Sequence, residues 1–162
     1  MHPGKFCLGL VLLATVSAQA QTRWATYANA RFGTTADYPA DLFTQRDPEP
    51  ENGDGVRMHD ADGRATLTIH GGYNVENETP AAYFERVVDP DRVTYKQIKR
   101  TYYIASGVRD GQIFYERCNF RKGDMAAIDC FEISYPASEK SQWDAIVTRI
   151  AKSLRAGKGV AD

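Results

Sequence analysis

Apolar and polar residues alternate along this chain with three different rhythms, each predicting a different kind of segment. The first is a charged start, Lys5, followed by an apolar run of eleven residues from Phe6 to Val16 and the small residues Ala18-Gln19-Ala20. That is the pattern of a cleavable secretory signal. The run is too short for a membrane helix, which needs about 20 apolar residues. Residues 1–20 are therefore expected to be a signal peptide that carries Cys7 away with it, and 21–162 a single globular domain beginning at Gln21.

A period of two governs most of the remaining chain. Trp24 to Tyr27 and Phe32 to Tyr38 read as a hairpin joined through Asn29-Ala30-Arg31, stopped by Pro39. Val56 to His59 and Ala65 to His70 flank the turn composition Asp60-Ala61-Asp62-Gly63, and Leu67 and Ile69 alternate with Thr66, Thr68 and His70. Four further runs, Val93 to Ile98, Tyr102 to Val108, Gln112 to Phe120 and Ala126 to Tyr135, read as a meander with turns at Asp110-Gly111 and Lys122-Gly123-Asp124.

Two stretches carry a helical period instead. Thr79-Pro80 opens one helix, with threonine as cap and proline at the first position, and Asp89-Pro90 closes it after Val88. The second runs from about Glu139 to Leu154 with Trp143, Ile146, Val147, Ile150 and Leu154 on one face, Ser138 as expected N-cap and Gly157 beyond its end. In the meander, Ile113, Tyr115, Phe131, Ile133 and Tyr135 share one sheet face, while Phe114, Phe120 and Ile128 share the other. A sheet apolar on both faces with two amphipathic helices predicts an α+β layered sandwich.

Centring the last hairpin on Asp124 makes two residue pairs face each other. Cys118 meets Cys130, the only cysteines left after cleavage, so a structural disulfide is expected in an oxidising compartment. Glu116 meets Glu132, an opposed carboxylate pair of the sort that performs acid/base work when it lines a cleft.

Tyr27, Asn29, Phe32-Gly33, Tyr38-Pro39 and Leu42-Phe43 resemble the opening of PsbP/Mog1-like domains, and the order of elements agrees. More narrowly, Pro50 to Gly55, Asp62-Gly63 with Ala65 and Leu67, Ser106-Gly107 and Ile113 to Glu116 resemble a group of uncharacterised secreted proteobacterial proteins. The resemblance implies a layered α/β/α sandwich and a binding or accessory role, and it transfers no functional residue.

Composition then narrows the function. The chain is 43% apolar and 25% charged, as folded domains are, and without Lys5 it carries 19 basic against 21 acidic residues. That balance supplies no field for nucleic acid, and Lys96, Lys99 and Arg100 read as a solvated strand edge. His59 and His70 lack partners at ligand spacing, and Asp47, Glu49, Glu51, Asp54, Asp60 and Asp62 lack the ligand ladder of an EF-hand, so neither metal nor cofactor is expected. Ser106 lacks the glycines of a nucleophile elbow, Asn77-Glu78-Thr79 reads as a chance match to a glycosylation acceptor, and Tyr102, Tyr103, Phe114 and Tyr115 read chiefly as core.

The resulting expectation is a periplasmic or secreted, non-enzymatic binding or accessory domain whose partner is an envelope protein, a secreted protein or a small ligand. A toxin-neutralising role is its narrower form. The long loop with Asp47, Glu49, Glu51, Asn52 and Asp54 is the expected contact surface. The alternative is a cell-envelope hydrolase using Glu116 and Glu132.

Overall fold

The structure is a computed structural model that describes residues 22–123 and 126–156. The expected signal peptide, the cleavage site before Gln21, Asp124 at the last hairpin turn and Gly157 lie outside the described residues.

Strands β1 (Trp24–Ala28) and β2 (Thr34–Pro39) form the predicted hairpin, with Trp24 opposite Pro39. Phe32, expected to start the second strand, belongs to the turn instead. Asn29 Oδ1 accepts the Phe32 amide at 2.7 Å, and Gly33 adopts φ +66°, so strand geometry begins only at Thr34. The two-residue strand β10 (Arg155–Ala156) pairs with the other edge of β2 and completes a three-stranded sheet.

The main sheet has seven antiparallel strands in the order β3 (Gln45–Arg46), β4 (Gly55–His59), β5 (Thr66–Tyr73), β9 (Ala127–Pro136), β8 (Gln112–Phe120), β7 (Tyr102–Arg109) and β6 (Tyr95–Lys99). Strand β5 continues three residues past the expected end at His70, through Gly71-Gly72. Glycines usually weaken a strand, but here Gly71 permits close approach. A Cβ on it would lie 2.4 Å from Thr34 Oγ1 and 2.6 Å from Phe32 Cβ, so the hairpin can settle onto the sheet only over a bare backbone.

Helix α1 (Pro80–Val87) starts as predicted, with Thr79 Oγ1 accepting the Ala82 amide at 3.2 Å and Pro80 in the first turn. Helix α2 (Lys140–Ser153) does not use Ser138 as its cap. Ser138 sits inside a short 3-10 turn, Ala137–Glu139, and the residue ahead of the helix is Glu139, which makes no capping bond. Its carboxylate is taken instead by Arg64 and by the Trp143 indole N–H at 3.3 Å.

The expected division of the sheet faces holds. One face carries Leu67, Ile69, Ile113, Phe131, Ile133 and Tyr135 under α2 and the β1–β2 hairpin, with Tyr135 stacked on Trp143 at 5.3 Å. The other carries Tyr103, Phe114, Phe120, Ile128 and the paired cysteines under Phe84 and Val88. Ile69, Phe131, Ile133 and Ile150 are fully buried, each contributing on the order of 2 kcal/mol. The product is the predicted α+β sandwich, with one helix on either side of an antiparallel sheet.

Candidate binding surface

Helix α1 is only eight residues long and covers β6, β7, β8 and one end of β9, and among the described residues nothing covers the rest of that sheet face. The polar residues that alternate with the core therefore form an open floor: Thr66, Thr68 and His70 from β5, Glu132 and Ser134 from β9, and Arg57 from β4. They line a cleft of about 370 Å³. A second depression of about 290 Å³ shares Arg57, Thr68 and His70 and is walled by the loop that leads into β4, through Asp47, Pro50 and Asp54.

That loop, the expected contact surface, is tied to the domain at several points. Asn29 donates from Nδ2 to the Gly53 carbonyl at 2.9 Å, Arg31 donates to the Asn52 carbonyl, and the Gly71 amide donates to the Asp54 carbonyl at 2.8 Å. Gly55 brings the returning strand against β5, where a Cβ would stand 2.4 Å from the Ile69 oxygen. Asp47 is engaged by His59 Nε2 at 3.0 Å, and the Asn52 amide donates to Asp54 at 2.8 Å. Glu49 and Glu51 stand exposed at the rim.

Glu116 and Glu132 face each other across β8 and β9 as the register predicts, but their surroundings differ. Glu116, with its side chain 13% exposed, accepts from the Tyr103 hydroxyl and lies 3.5 Å from Arg92 Nη2 and 3.8 Å from the Cys118 sulfur. Burial pushes its pKa above the ordinary carboxylate range; Tyr103 draws it back, Glu132 raises it and Arg92 lowers it. Arg92 reaches this place because Gly107 lets the 3-10 turn Pro90–Arg92 lie on the sheet; a Cβ there would meet the Arg92 oxygen at 1.8 Å. Glu132 is half-buried on the open floor, with no hydrogen bond or ion pair among the described residues.

His70 lines both depressions and makes no hydrogen bond among the described residues. Burial pushes its imidazole below the usual histidine range, against the opposing pull of Asp54 and Glu132, so the ring is neutral at pH 7. His59 and His70 sit at opposite ends of the β4–β5 ladder, facing Thr66 and Gly55 respectively. Among the described residues no group of three or more His, Cys, Asp or Glu is arranged to hold a metal ion.

The remaining candidate residues have structural positions. Cys118 and Cys130 are direct cross-strand partners at disulfide distance, with Cα atoms 4.2 Å apart. The Ser106 hydroxyl donates to the Phe114 carbonyl at 2.8 Å. Tyr103 and Phe114 are buried in the core, Tyr115 stacks on Phe131, and the Tyr102 hydroxyl donates to Gln97, so the four aromatics make no common stacking platform. Lys96 and Lys99 are exposed on the edge strand β6.

Sequence reasoning misses the floor itself, although its signal is present. Thr66, Thr68 and His70 alternate with buried Leu67 and Ile69, and Glu132 and Ser134 alternate with Phe131 and Ile133. Two polar stripes that pair in the interior of a sheet mark a face with a polar surface, which the other described residues leave uncovered.

No protein-family model matches the chain, and no curated protein is similar enough in sequence to match it. In three dimensions it is similar to cyanobacterial PsbP (CyanoP) from Synechocystis sp. PCC 6803, known from a solution structure. The TM-score is 0.60 at 11% identity, over 89% of this chain and 98% of that one. At that identity the likeness concerns architecture alone, and it establishes a PsbP-like fold for this chain.

Proposed function

We propose that this protein is an exported, non-enzymatic binding or accessory domain that engages a protein partner through the open polar floor and the loop beside it. The observation that supports this most directly is the bare half of the sheet. Interior strands β5 and β9 present Thr66, Thr68, His70, Glu132 and Ser134 to solvent next to a loop pinned by Asn29, Arg31 and Gly71. A preformed, hydroxyl-rich surface of this kind suits contact without large rearrangement. The apolar leader read from the sequence supports export, and among the described residues no helix is long and apolar enough to cross a membrane. Neutralisation of a secreted toxin is the narrower form of the same proposal.

Capture from envelope extract tests it. Wild type is compared with a chain whose residues 47–54 are replaced by a Gly/Ser linker and with Thr68→Trp, which fills the floor. Loss of the same captured partner in both variants is expected; identical capture profiles for all three proteins reject the surface.

A second reading keeps the carboxylate pair as an envelope hydrolase site. It is favoured by the burial that raises the pKa of Glu116 directly across the strands from a second carboxyl group, Glu132. Turnover of peptidoglycan by wild type and its loss in Glu116→Gln would support this reading; absence of turnover by wild type disposes of it.

A further inference from the structure

We infer that the floor is a receptor for a cationic side chain, arginine or lysine, of the partner. This deepens the function proposed above and rests on it. The floor is short of positive charge. Glu132 is a carboxylate on an interior strand with no hydrogen bond or ion pair among the described residues, and it stands across from a second carboxylate, Glu116. The nearby cation that offsets Glu116, Arg92, lies on the α1 side and reaches Glu116. The other guanidinium at the cleft, Arg57, lies two strands away from Glu132 and is drawn to Asp47 at 3.9 Å. His70 is neutral at pH 7 and supplies no counter-charge, while Asp54 at the wall adds a further negative group.

The rest of the floor has matching chemistry. Thr66, Thr68 and Ser134 present hydroxyl oxygens around Glu132, and His70 can offer a ring nitrogen. A guanidinium or ammonium group brings donors and no acceptor, so it satisfies both the unpaired carboxylate and the oxygens beside it. An anionic occupant would meet Glu132, Asp54 and Asp47, against which the floor residues set one cation, Arg57, itself 3.9 Å from Asp47.

Nuclear magnetic resonance titration of the oxidised domain tests the assignment with Nα-acetyl-arginine amide as probe, Nα-acetyl-citrulline amide as its uncharged isostere, and calcium chloride as a simple cation. The expected result is saturable shifting of the Thr68, His70 and Glu132 amide signals by the arginine compound, with affinity at least about tenfold weaker for citrulline. Glu132→Gln, an isosteric change, should remove the difference between the two probes, and Asp54→Asn should weaken arginine binding to a smaller extent.

Equal binding of citrulline and arginine overturns the inference, as does an unchanged arginine response in folded Glu132→Gln. Calcium producing the same shifts at lower concentration also overturns it, in favour of an inorganic cation. If neither amide binds but Thr68→Trp still abolishes capture from envelope extract, the cationic receptor is rejected while the floor survives as a contact surface.

Discussion

Arg121 and Asp129 form a two-point ion pair across the β8–β9 hairpin, with Arg121 Nε 2.9 Å from one carboxylate oxygen and Nη2 2.5 Å from the other. Asp129 is 1% exposed, and Thr34 Oγ1 donates to it at 2.7 Å, while Arg121 also donates to the Phe32 carbonyl at 2.7 Å. Two side chains thus satisfy buried groups on the first hairpin and on the main sheet together. Asp129→Ala leaves the guanidinium and the Thr34 hydroxyl uncompensated, and the expected loss is about 3–5 kcal/mol in urea unfolding. A loss below about 1 kcal/mol would show that the pair is dispensable.

The cross-strand cysteines support a second expectation. Their sequence separation is 12, and closing a loop of that size restricts the unfolded chain by about 3 kcal/mol in the entropic model. Cys118→Ser with Cys130→Ser should lower the melting temperature while leaving the far-ultraviolet circular dichroism unchanged. Peptide mapping of native protein without reductant should recover the two cysteines linked; two freely alkylated thiols would refute the bond.

Glu116 gives the molecule a definite pH signature. Its folded pKa is raised, chiefly by burial, so the folded state holds that proton more tightly than the unfolded chain does. The contribution to stability is present below the unfolded value near 4.5 and is lost as pH rises through the folded value. Glu116→Gln should therefore be more stable than wild type at pH 7, with the advantage shrinking as pH falls toward the ordinary carboxylate range. Paired urea melts across that interval measure it, and an advantage that grows on acidification would contradict the assignment.

His70 carries the opposite sign. Its depressed folded pKa means that stability is present above the unfolded value of 6.5 and is lost as pH falls through the folded value. Ring-proton titration should place His70 below 6.5, and Asp54→Asn or Glu132→Gln should lower it further, since both carboxylates favour the charged ring. A rise in either variant would mean that these groups do not face the imidazole.

Gly71 and Gly72 are adjacent in sequence and opposite in tolerance. Gly71→Ala drives a methyl group into Thr34 and Phe32 and should cost about 1–3 kcal/mol, whereas Gly72 has open space around its Cβ position and should accept alanine within about 0.5 kcal/mol. Thermal melts of the two variants compare them directly, and equal losses would indicate a backbone effect instead of the close approach.

Period and register are readable because they are local. Thr79-Pro80 announces α1, and the spacing of Cys118 and Cys130 about one turn places both the cysteines and the glutamates in their observed pairs. The features that escape depend on distant parts of the chain. Ser138 has the chemistry of a cap, yet a 3-10 turn intervenes and Glu139 is recruited by Arg64, which lies 75 residues away in sequence. Strand β10 is only two residues long and exists because β2 offers an edge. The open floor escapes for a related reason: the alternation on β5 and β9 is visible in the sequence, but the reach of α1 over that face is set by tertiary packing.

The neighbouring placement of β5 and β9 has a consequence for assembly. One local meander supplies β3 to β5, another supplies β6 to β9, and the ladder from Thr66–Ser134 to Tyr73–Ala127 is the seam between them. The Cys118–Cys130 pair lies wholly within the second meander, so linking it leaves most of the chain path across that seam unshortened. Docking the two meanders is thus the non-local step of folding, slow relative to forming either one and similarly distant in the oxidised and reduced chains. The polar floor straddles the seam, with Thr66, Thr68 and His70 on one bank and Glu132 and Ser134 on the other. A molecule that spans both banks therefore recognises only the completed domain and, by mass action, holds the seam closed.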